Sequence, residues 1–216
     1  MPRNRSRDMI QAVTSYDNAT PGSGNVINQC ALTYNTFGQL VEEQQEHSGV
    51  VTGSSVNVQY GYDSGASNSN EIRPATLTYP NGRIITYNHG TGGGMDDRLN
   101  RITAIQDSGT NLAQYTYLGL STVIRIDYTQ PQVRLELWGG TSGVYSGLDL
   151  FNRVIDQRWQ FYGTPTADVD RYQYGYDQDS NRIWKANLLT TGLDELYVYL
   201  CPCPPQFRGN FTFSFG

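Results

Sequence analysis

The strongest constraint on the fold of this 216-residue chain is the placement of its tyrosines. They recur in groups whose members are separated by one residue. Because alternate side chains of a β-strand share a face, each group predicts a strand with an aromatic stripe. The groups are Tyr60/Tyr62, Tyr115/Tyr117, Tyr172/Tyr174/Tyr176 and Tyr197/Tyr199. An apolar ring with a polar hydroxyl suits a half-buried sheet face, so we expect a chain built on strands.

Turn-forming residues follow several of these tyrosines. Tyr34 to Leu40 spells Y-N-x-x-G-x-L, Tyr60 to Asp63 spells Y-G-Y-D, and Tyr174 to Ile183 spells Y-G-Y-D-x-x-x-N-R-I. Gly147 to Val154 is a degenerate copy without its tyrosine. An Asp or Asn side chain can accept a hydrogen bond from the backbone two residues on, and Gly or Asn supplies a positive φ. Recurrence at about 20 to 30 residues predicts stacked units of strand, tight turn and strand.

The segment Leu77–Tyr87 contains the clearest hairpin signal. Its Asn-Gly dipeptide at 81–82 fits the two central positions of a type I′ turn. Closure by two residues then fixes which residues lie opposite each other. The expected pairs are Tyr79 with Ile84 and Thr78 with Ile85.

Helix signals are almost absent from the chain. Val41–His47 contains helix-forming residues but has no apolar stripe, so a polar-faced strand is predicted there. Residues 1–29 and 64–71 lack hydrophobic periodicity and are predicted to be loops or frayed ends. The expected fold class is all-β, with repeated antiparallel β-hairpins forming a curved sheet.

Charge and hydropathy narrow the classes of partner. The net charge is −5 and the isoelectric point is about 4.9, which argues against nucleic acid because phosphate binding needs a basic surface. No apolar run approaches the ~18 residues that a membrane-spanning helix needs. The basic segment Met1–Asp8 is not followed by an apolar stretch, so no secretory signal is predicted and the compartment stays open.

Together these motifs resemble the Rhs/YD-repeat family, the Tyr-Asp repeats of bacterial Rhs and polymorphic-toxin proteins and of teneurins. The resemblance covers about residues 30–200 and is carried by Tyr34 to Leu40, Tyr60 to Asp63, Leu77 to Tyr87, Leu148 to Val154 (with Asn152 in place of the family's Gly) and Tyr174 to Ile183. It implies a β-sheet spiral that closes into a hollow shell, commonly around a C-terminal toxin or other cargo. This chain would be a partial turn of such a shell.

The sequence departs from the family pattern after Tyr199. The family's next residue is Asp, with Gly and Arg soon after, whereas Leu200 begins a tail rich in Cys, Pro and Phe. The family's conserved block before a self-cleavage site has no counterpart here. We therefore expect a loop-rich segment at 1–29, a repeat region at 30–200, and a non-repeat tail at 201–216 that marks truncation or frame-shift of a longer protein.

No segment carries a catalytic, cofactor-binding or metal-binding motif. Cys30, Cys201 and Cys203 form neither a disulfide framework nor a four-ligand zinc set. Gly90–Gly94 lacks the Gly-Lys-Ser/Thr ending of a phosphate-binding loop, and a flexible inter-strand loop is expected there. The calcium-like start at Asp177 lacks the Gly and Glu that such a loop needs.

Catalysis by a nucleophile also lacks a signature. The two histidines, His47 and His89, lie in no recognisable catalytic pattern. We therefore predict no catalytic, cofactor-binding or metal residues, no cofactor, and no enzymatic activity.

Two function classes remain. The first is a structural wall whose partners are the rest of a repeat protein or its enclosed effector. About fourteen strands rolled shut would be only ~20 Å across, too narrow for a folded effector of ~100 residues. The second is an adhesion module that binds a glycan or protein surface through solvent-facing aromatics, with Trp138, Trp159 and Trp184 as candidates. The simpler role of those aromatics is to cover the sheet.

Overall fold

The computed structural model describes residues 9–20, 22–64, 72–139 and 145–199. Within these ranges it contains fourteen β-strands, one four-residue helix and one 3₁₀ turn. The all-β prediction of successive antiparallel hairpins is confirmed. No helix in the described ranges has the length and apolar character to cross a membrane. The chain divides into two units, one of residues up to 136 with 160–167, and one of residues 137–159 with those from 168 onward.

Unit 1 is a run of ten strands in which each strand pairs antiparallel with the next in the chain. A short helix, α1 (Met95–Arg98), lies between the sixth and seventh strands. The strands are β1 (Ala12–Tyr16), β2 (Val26–Tyr34), β3 (Leu40–Glu46), β4 (Val56–Tyr62), β5 (Pro74–Thr78), β6 (Ile84–Asn88), β7 (Ala104–Asp107), β8 (Thr110–Leu118), β9 (Thr122–Tyr128) and β10 (Val133–Glu136).

Unit 2 contains most of the remaining strands. It pairs β12 with β13 and β13 with β14, both antiparallel, and an isolated bridge joins Leu148 to Val154. A 3₁₀ turn at Thr191–Leu193 precedes the last strand. The strands are β11 (Asp156–Phe161), β12 (Ala167–Tyr176), β13 (Arg182–Asn187) and β14 (Glu195–Leu196).

The apolar core is small for a chain of this length. Among the described residues, five apolar side chains are buried, against seven polar or charged ones. The apolar ones are Ile85, Ala104, Ala113, Ile124 and Leu137; the polar ones are Ser55, Arg73, His89, Asp97, Glu136, Gln160 and Asn187. Since buried polar groups must be hydrogen-bonded, these seven side chains need polar partners within the protein.

Two boundaries differ from the sequence prediction. The prediction of loop for 1–29 is wrong where β1 and the start of β2 lie, because Ala12–Tyr16 pairs in register with the middle of β2. The prediction of a strand through Tyr197/Tyr199 is also wrong, since β14 ends at Leu196. The predicted strand at Val41–His47 is confirmed as β3. The predicted loop at 65–71 and the tail at 201–216 lie outside the described residues.

The hairpin between β5 and β6 has a register one residue away from the predicted one. Leu77 lies opposite Ile85 and Thr78 opposite Ile84. Gly82 has a φ of 80°, but Asn81 is not in the positive-φ region that a type I′ turn requires. Instead the Gly82 N–H donates to the Tyr79 carbonyl, so the loop is a longer turn ending in a left-handed glycine.

Candidate functional site

A five-residue turn recurs in the chain, and we call it the Asx turn because its first residue is Asn or Asp. Its first N–H donates to the carbonyl of the fifth residue, and its fourth N–H donates to the carbonyl of the first. The fourth residue has a positive φ: 82° at Gly38, 62° at Asn152 and 65° at Ser180. The three Asx turns are Asn35–Gln39, Asp149–Arg153 and Asp177–Asn181.

The side chain of the first residue closes each Asx turn from inside. In Asp149–Arg153, Oδ1 of Asp149 accepts the backbone N–H groups of Phe151 and Arg153, both at 2.9 Å. Oδ2 accepts the Nε of Arg153 at 2.6 Å. Asn35 makes the same contacts to the backbone of Phe37 and Gln39, at 3.0 Å each. The predicted hydrogen bond to the backbone two residues on is therefore confirmed at these turns.

A related turn at Asp97–Arg101 was missed by the sequence analysis. The N–H of Asn100, which has a φ of 56°, donates to the Asp97 carbonyl, and the Arg101 N–H donates to the Asp96 carbonyl. The letters D-R-L-N-R match D-L-F-N-R at Asp149–Arg153, so a signal was present. One backbone bond differs from the Asx turns, because the acceptor for the fifth N–H is Asp96, the residue before the turn. This turn begins within the last residues of α1.

A tyrosine further along the chain ties back to each of these turns; three of the four lie on a strand, and Tyr199 follows β14. In each case the tyrosine hydroxyl donates to the carbonyl of the residue that directly follows the turn, and we call this contact a tyrosine clamp. The four clamps are Tyr62 to Leu40 at 2.9 Å, Tyr117 to Ile102 at 2.7 Å, Tyr176 to Val154 at 2.8 Å and Tyr199 to Arg182 at 2.9 Å. Tyr34 makes the same type of bond to the carbonyl of Ile10 at 3.0 Å.

Irregular strand pairing accompanies the clamps. The register of the ladder shifts directly before Tyr34, Tyr62, Tyr117 and Tyr176, as it would at a β-bulge. A bulge re-aims the following side chain and increases the local twist. The same local distortion therefore accompanies each of these tyrosines as it reaches the preceding strand.

The clamps explain why Tyr and Asp are adjacent in the repeat. In Tyr176-Asp177, the tyrosine closes the unit that began at Asp149, and the aspartate opens the turn Asp177–Asn181. Tyr62-Asp63 does the same, since Tyr62 closes on Leu40 and the Asp63 N–H opens the following loop. Adjacent residues thus couple consecutive repeats.

Arginine contributes to the clamps through aromatic stacking, because a planar guanidinium packs well on an aromatic face. The guanidinium of Arg153 lies 4.7 Å from the ring of Tyr176, and that of Arg101 lies 4.8 Å from the ring of Tyr117. In both cases the arginine is the last residue of the turn whose following carbonyl binds that tyrosine's hydroxyl. The turn therefore holds the tyrosine at both its ring and its hydroxyl.

The glycine of Y-G-Y-D leaves space for a side chain on the neighbouring strand. Gly61 lies opposite Thr76 and Gly175 lies opposite Trp184. A Cβ at Gly61 would collide with the Thr76 hydroxyl, and a Cβ at Gly175 would collide with the Trp184 indole. The indole thus covers the backbone between two tyrosines of β12.

A buried ion cluster holds together the two ends of the connection between β4 and β5. The N–H of Asp63 donates to the carbonyl of Arg73, and the Arg73 Nε donates to Asp63 Oδ2 at 2.9 Å. Arg73 is 6% exposed and also binds Asp97 Oδ1 at 2.5 Å. Asp97 Oδ2 accepts the Gly93 N–H at 2.7 Å. This contact uses the Gly90–Gly94 run to bind a carboxylate of the chain itself.

The ionisable groups of these turns have shifted pKa values. Hydrogen bonds from the Asn181 side chain and backbone lower the pKa of Asp177, and those from Asn25 lower that of Asp17. The Gly93 N–H and then Arg73 lower the pKa of Asp97. Burial, and then the positive charge of Arg73, lowers the pKa of His89. The carboxylates are thus held ionised as acceptors, and the histidine is held neutral.

The other residues singled out from the sequence do not converge on one place. His47 is exposed after β3, whereas His89 is buried after β6, and Cys30 is half-buried on β2. The described ranges contain no group of three His, Cys, Asp or Glu side chains arranged to hold a metal. Cys201 and Cys203 lie outside the described residues.

The tryptophans are less exposed than expected. Trp184 is 36% exposed, but Trp138 and Trp159 are half-buried, so the expectation that they face solvent is wrong for two of the three. Two corresponding clefts, of about 330 and 350 Å³, lie beside Asx turns instead. One is lined by Phe37, Gln39 and Tyr62, the other by Phe151, Arg153 and Tyr176.

Comparison with known proteins gives a match at the level of the fold. No protein-family model matches the chain, and no curated protein sequence matches it. The crystal structure of TcdB2-TccC3-TEV matches with a TM-score of 0.50 and 12% sequence identity over 83% of this chain. The structure of the Photorhabdus luminescens Tc holotoxin pore, with a variant of TccC3, matches with the same values. This chain spans 9% of the length of each matched chain. The match bears out the fold that the resemblance implied, since the chain shares the fold of a part of these Tc toxin structures.

Proposed function

We propose that this chain is a non-catalytic structural segment of an Rhs/YD-repeat protein and supplies β-hairpins to the wall of a shell that encloses cargo such as a toxin. The observation that carries the proposal is the series of tyrosine clamps, in which the pairs Tyr62-Asp63 and Tyr176-Asp177 each close one repeat and open the next. Such coupling serves to propagate a sheet.

The chemistry of the turns also favours a structural role. The carboxylates that open the turns are engaged by backbone N–H groups and by neighbouring Asn or Arg side chains. A general acid or base needs a pKa near the working pH. Hydrogen bonds lower the pKa of Asp177, Asp17 and Asp97 instead, which stabilises the ionised carboxylate as a hydrogen-bond acceptor.

The partner of the segment is expected to be further repeats of a longer protein. The structural neighbours are parts of multi-chain toxin complexes, and this chain corresponds to 9% of the matched chain. A segment of this size supplies one part of a wall, and the cargo would be enclosed by the complete shell.

The test is to place the segment in a host shell. Residues 9–199 replace the structurally equivalent segment of an Rhs/YD-repeat shell protein, and the product is examined by electron microscopy and by protease digestion of the enclosed cargo. We expect a closed particle whose cargo resists protease. An unrelated antiparallel β-protein of equal length, inserted at the same place, should open the particle and expose the cargo. Cargo as labile with this segment as with the unrelated one would contradict the proposal.

A second candidate function, carbohydrate binding at a cell surface, is favoured by the two corresponding clefts. Each combines an exposed phenylalanine of the turn with a clamp tyrosine and polar side chains, a combination that suits a sugar ring. Phe37 is 64% exposed and Phe151 is 78% exposed.

Glycan binding is tested with the isolated chain and a panel of oligosaccharides. Saturable binding that is lost in Phe37→Ala and Phe151→Ala, but kept in a variant of the equally exposed Leu120, would support an adhesion module. No binding at any concentration leaves the structural role alone.

A further inference from the structure

One tyrosine of the repeat pattern lacks the contact that the others make. Tyr16 ends β1 and stands directly after a register shift, as Tyr34, Tyr62 and Tyr176 do in their strands. The next residue is Asp17, just as Asp follows Tyr62 and Tyr176. Asp17 opens a turn whose last residue is Asn25. No carbonyl among the described residues accepts a hydrogen bond from the Tyr16 hydroxyl.

The position of the missing acceptor follows from the other clamps. Tyr34, Tyr62 and Tyr176 each end a strand, and each reaches a carbonyl at or before the start of the neighbouring strand that precedes it in the chain. Tyr34, on β2, reaches Ile10 beside β1, and Tyr62, on β4, reaches Leu40 of β3. For Tyr16 the corresponding acceptor would lie on the free side of β1, where no described strand pairs.

The backbone of β1 is suited to accept a strand on that side. Gln11 lies opposite Leu32, and its carbonyl accepts the Leu32 N–H. Because hydrogen bonding alternates along an antiparallel strand, Ala12 and Thr14 present their backbone groups to the other side. β1 contains no charged residue and no proline, the features that protect natural sheet edges from pairing. Val13, at 57% exposed, adds apolar surface.

We propose that the free edge of β1 binds one further repeat of the same kind: a strand that runs antiparallel to β1, follows directly on an Asx turn, and offers its first carbonyl to the Tyr16 hydroxyl. The occupant is a repeat of the surrounding repeat protein, so the proposal deepens the structural role above and rests on it. The argument for this occupant is continuity, since β1 presents half of a contact that is complete at five other tyrosines.

The probe is a peptide of this chain that already carries the complementary half. Residues 149–161 contain the Asx turn Asp149–Arg153 and β11, and in the protein they present the Val154 carbonyl to Tyr176. The labelled peptide is titrated onto the full chain, with amide hydrogen exchange followed along β1. The control peptide carries Asp149→Ala, which removes the acceptor that closes the turn.

We expect saturable binding and slower exchange of the amides of Ala12 and Thr14. Tyr16→Phe should weaken the Kd about five-fold, the equivalent of one neutral hydrogen bond. Tyr79→Phe, whose hydroxyl is not part of a clamp, should leave the Kd within about two-fold, and the Asp149→Ala peptide should bind more weakly than its parent.

Three results would overturn the proposal: no saturable binding, equal Kd values for the chain and Tyr16→Phe, or protection at another edge. Light scattering of the chain without peptide provides a fourth, because a dimer that dissociates in Tyr16→Phe would make a second copy the occupant. If the peptide does not bind but the host particle tested above is closed, only the assignment of the β1 edge is wrong. If the peptide binds but the host particle is open, the proposed shell function is wrong instead.

Discussion

The turn Asp177–Asn181 in unit 2 and the longer connection from Asp63 to Arg73 in unit 1 are closed by the same backbone hydrogen bond, from the first N–H to the last carbonyl. In the short turn, Asp177 accepts the N–H and side-chain amide of Asn181, and both residues are only half-buried. In the longer connection the last residue is a buried arginine that binds two carboxylates. The tight turn is therefore stabilised locally, whereas the ends of the longer connection are held by a buried charge with a partner from elsewhere in the unit.

Removing the buried charge should have the largest effect. Arg73→Leu leaves Asp97 buried without its counter-ion and opens the connection at Asp63, so the free energy of unfolding should fall by about 3–5 kcal/mol. Urea denaturation measures it. The matched control is Arg83→Leu, whose pair with Asp107 is solvent-exposed and should cost about 1 kcal/mol or less. Equal losses in the two variants would show that the cluster does not stabilise the longer connection.

Adding a Cβ to the glycine of each Y-G-Y-D copy should lower the free energy of unfolding by different amounts in the two units, because a different side chain lies opposite each glycine. Gly175→Ala should cost about 1–3 kcal/mol because the rigid Trp184 indole must leave β12. Gly61→Ala should cost less because the Thr76 hydroxyl can rotate away. Thermal unfolding gives the stability, and tryptophan fluorescence should change only in Gly175→Ala. Gly53→Ala, with open space around it, is the control and should be nearly neutral. A larger cost at Gly61 would contradict this steric account.

Loss of one clamp hydroxyl should have a smaller effect that is similar in both units. Tyr62→Phe and Tyr176→Phe each remove one hydrogen bond to a main-chain carbonyl and should lower the free energy of unfolding by about 1 kcal/mol. Tyr79→Phe should be close to neutral and serves as the control. Chemical denaturation decides the matter, and three indistinguishable variants would mean that the hydroxyls add nothing.

Acid should affect the short turns through their carboxylates. Because the folded-state pKa of Asp177 lies below its unfolded value, its stabilising contribution is complete above the unfolded pKa and is lost as pH falls through the folded pKa. Asp177→Asn should keep the turn, as Asn35 does in its own Asx turn, and should reduce the fall in Tm between about pH 5 and pH 2. An unchanged acid profile would assign the acid sensitivity to other carboxylates.

The parts of the fold that local sequence determines were predictable. Tyrosines spaced by one residue marked β4, β8 and β12, and Asn35 and Asp177 marked turns because their side chains bond to nearby backbone. The five-residue turn at Asp97–Arg101 had a readable signal in its match to Asp149–Arg153, but the short helix before it was not foreseen.

Other features depend on residues far apart in the chain. The hairpin at Tyr79–Arg83 takes the longer loop because Gly82 alone adopts a positive φ, which moves the register by one residue. β1 has no periodic pattern of its own and is a strand because β2 pairs with it. The choice of Arg73 as the partner of both Asp63 and Asp97 arises only when β4, β5 and α1 come together.

The central claim is that the pairs Tyr62-Asp63 and Tyr176-Asp177 each couple the repeat before them to the repeat after them. Native-state amide hydrogen exchange on Tyr62→Phe tests this directly. The account predicts faster exchange of the Asn35 and Gly38 amides, which close the turn that Tyr62 clamps, with no change at Asp177 and Ser180 of the turn in unit 2. Unchanged exchange at Asn35 and Gly38, or an equal increase in both turns, would contradict it.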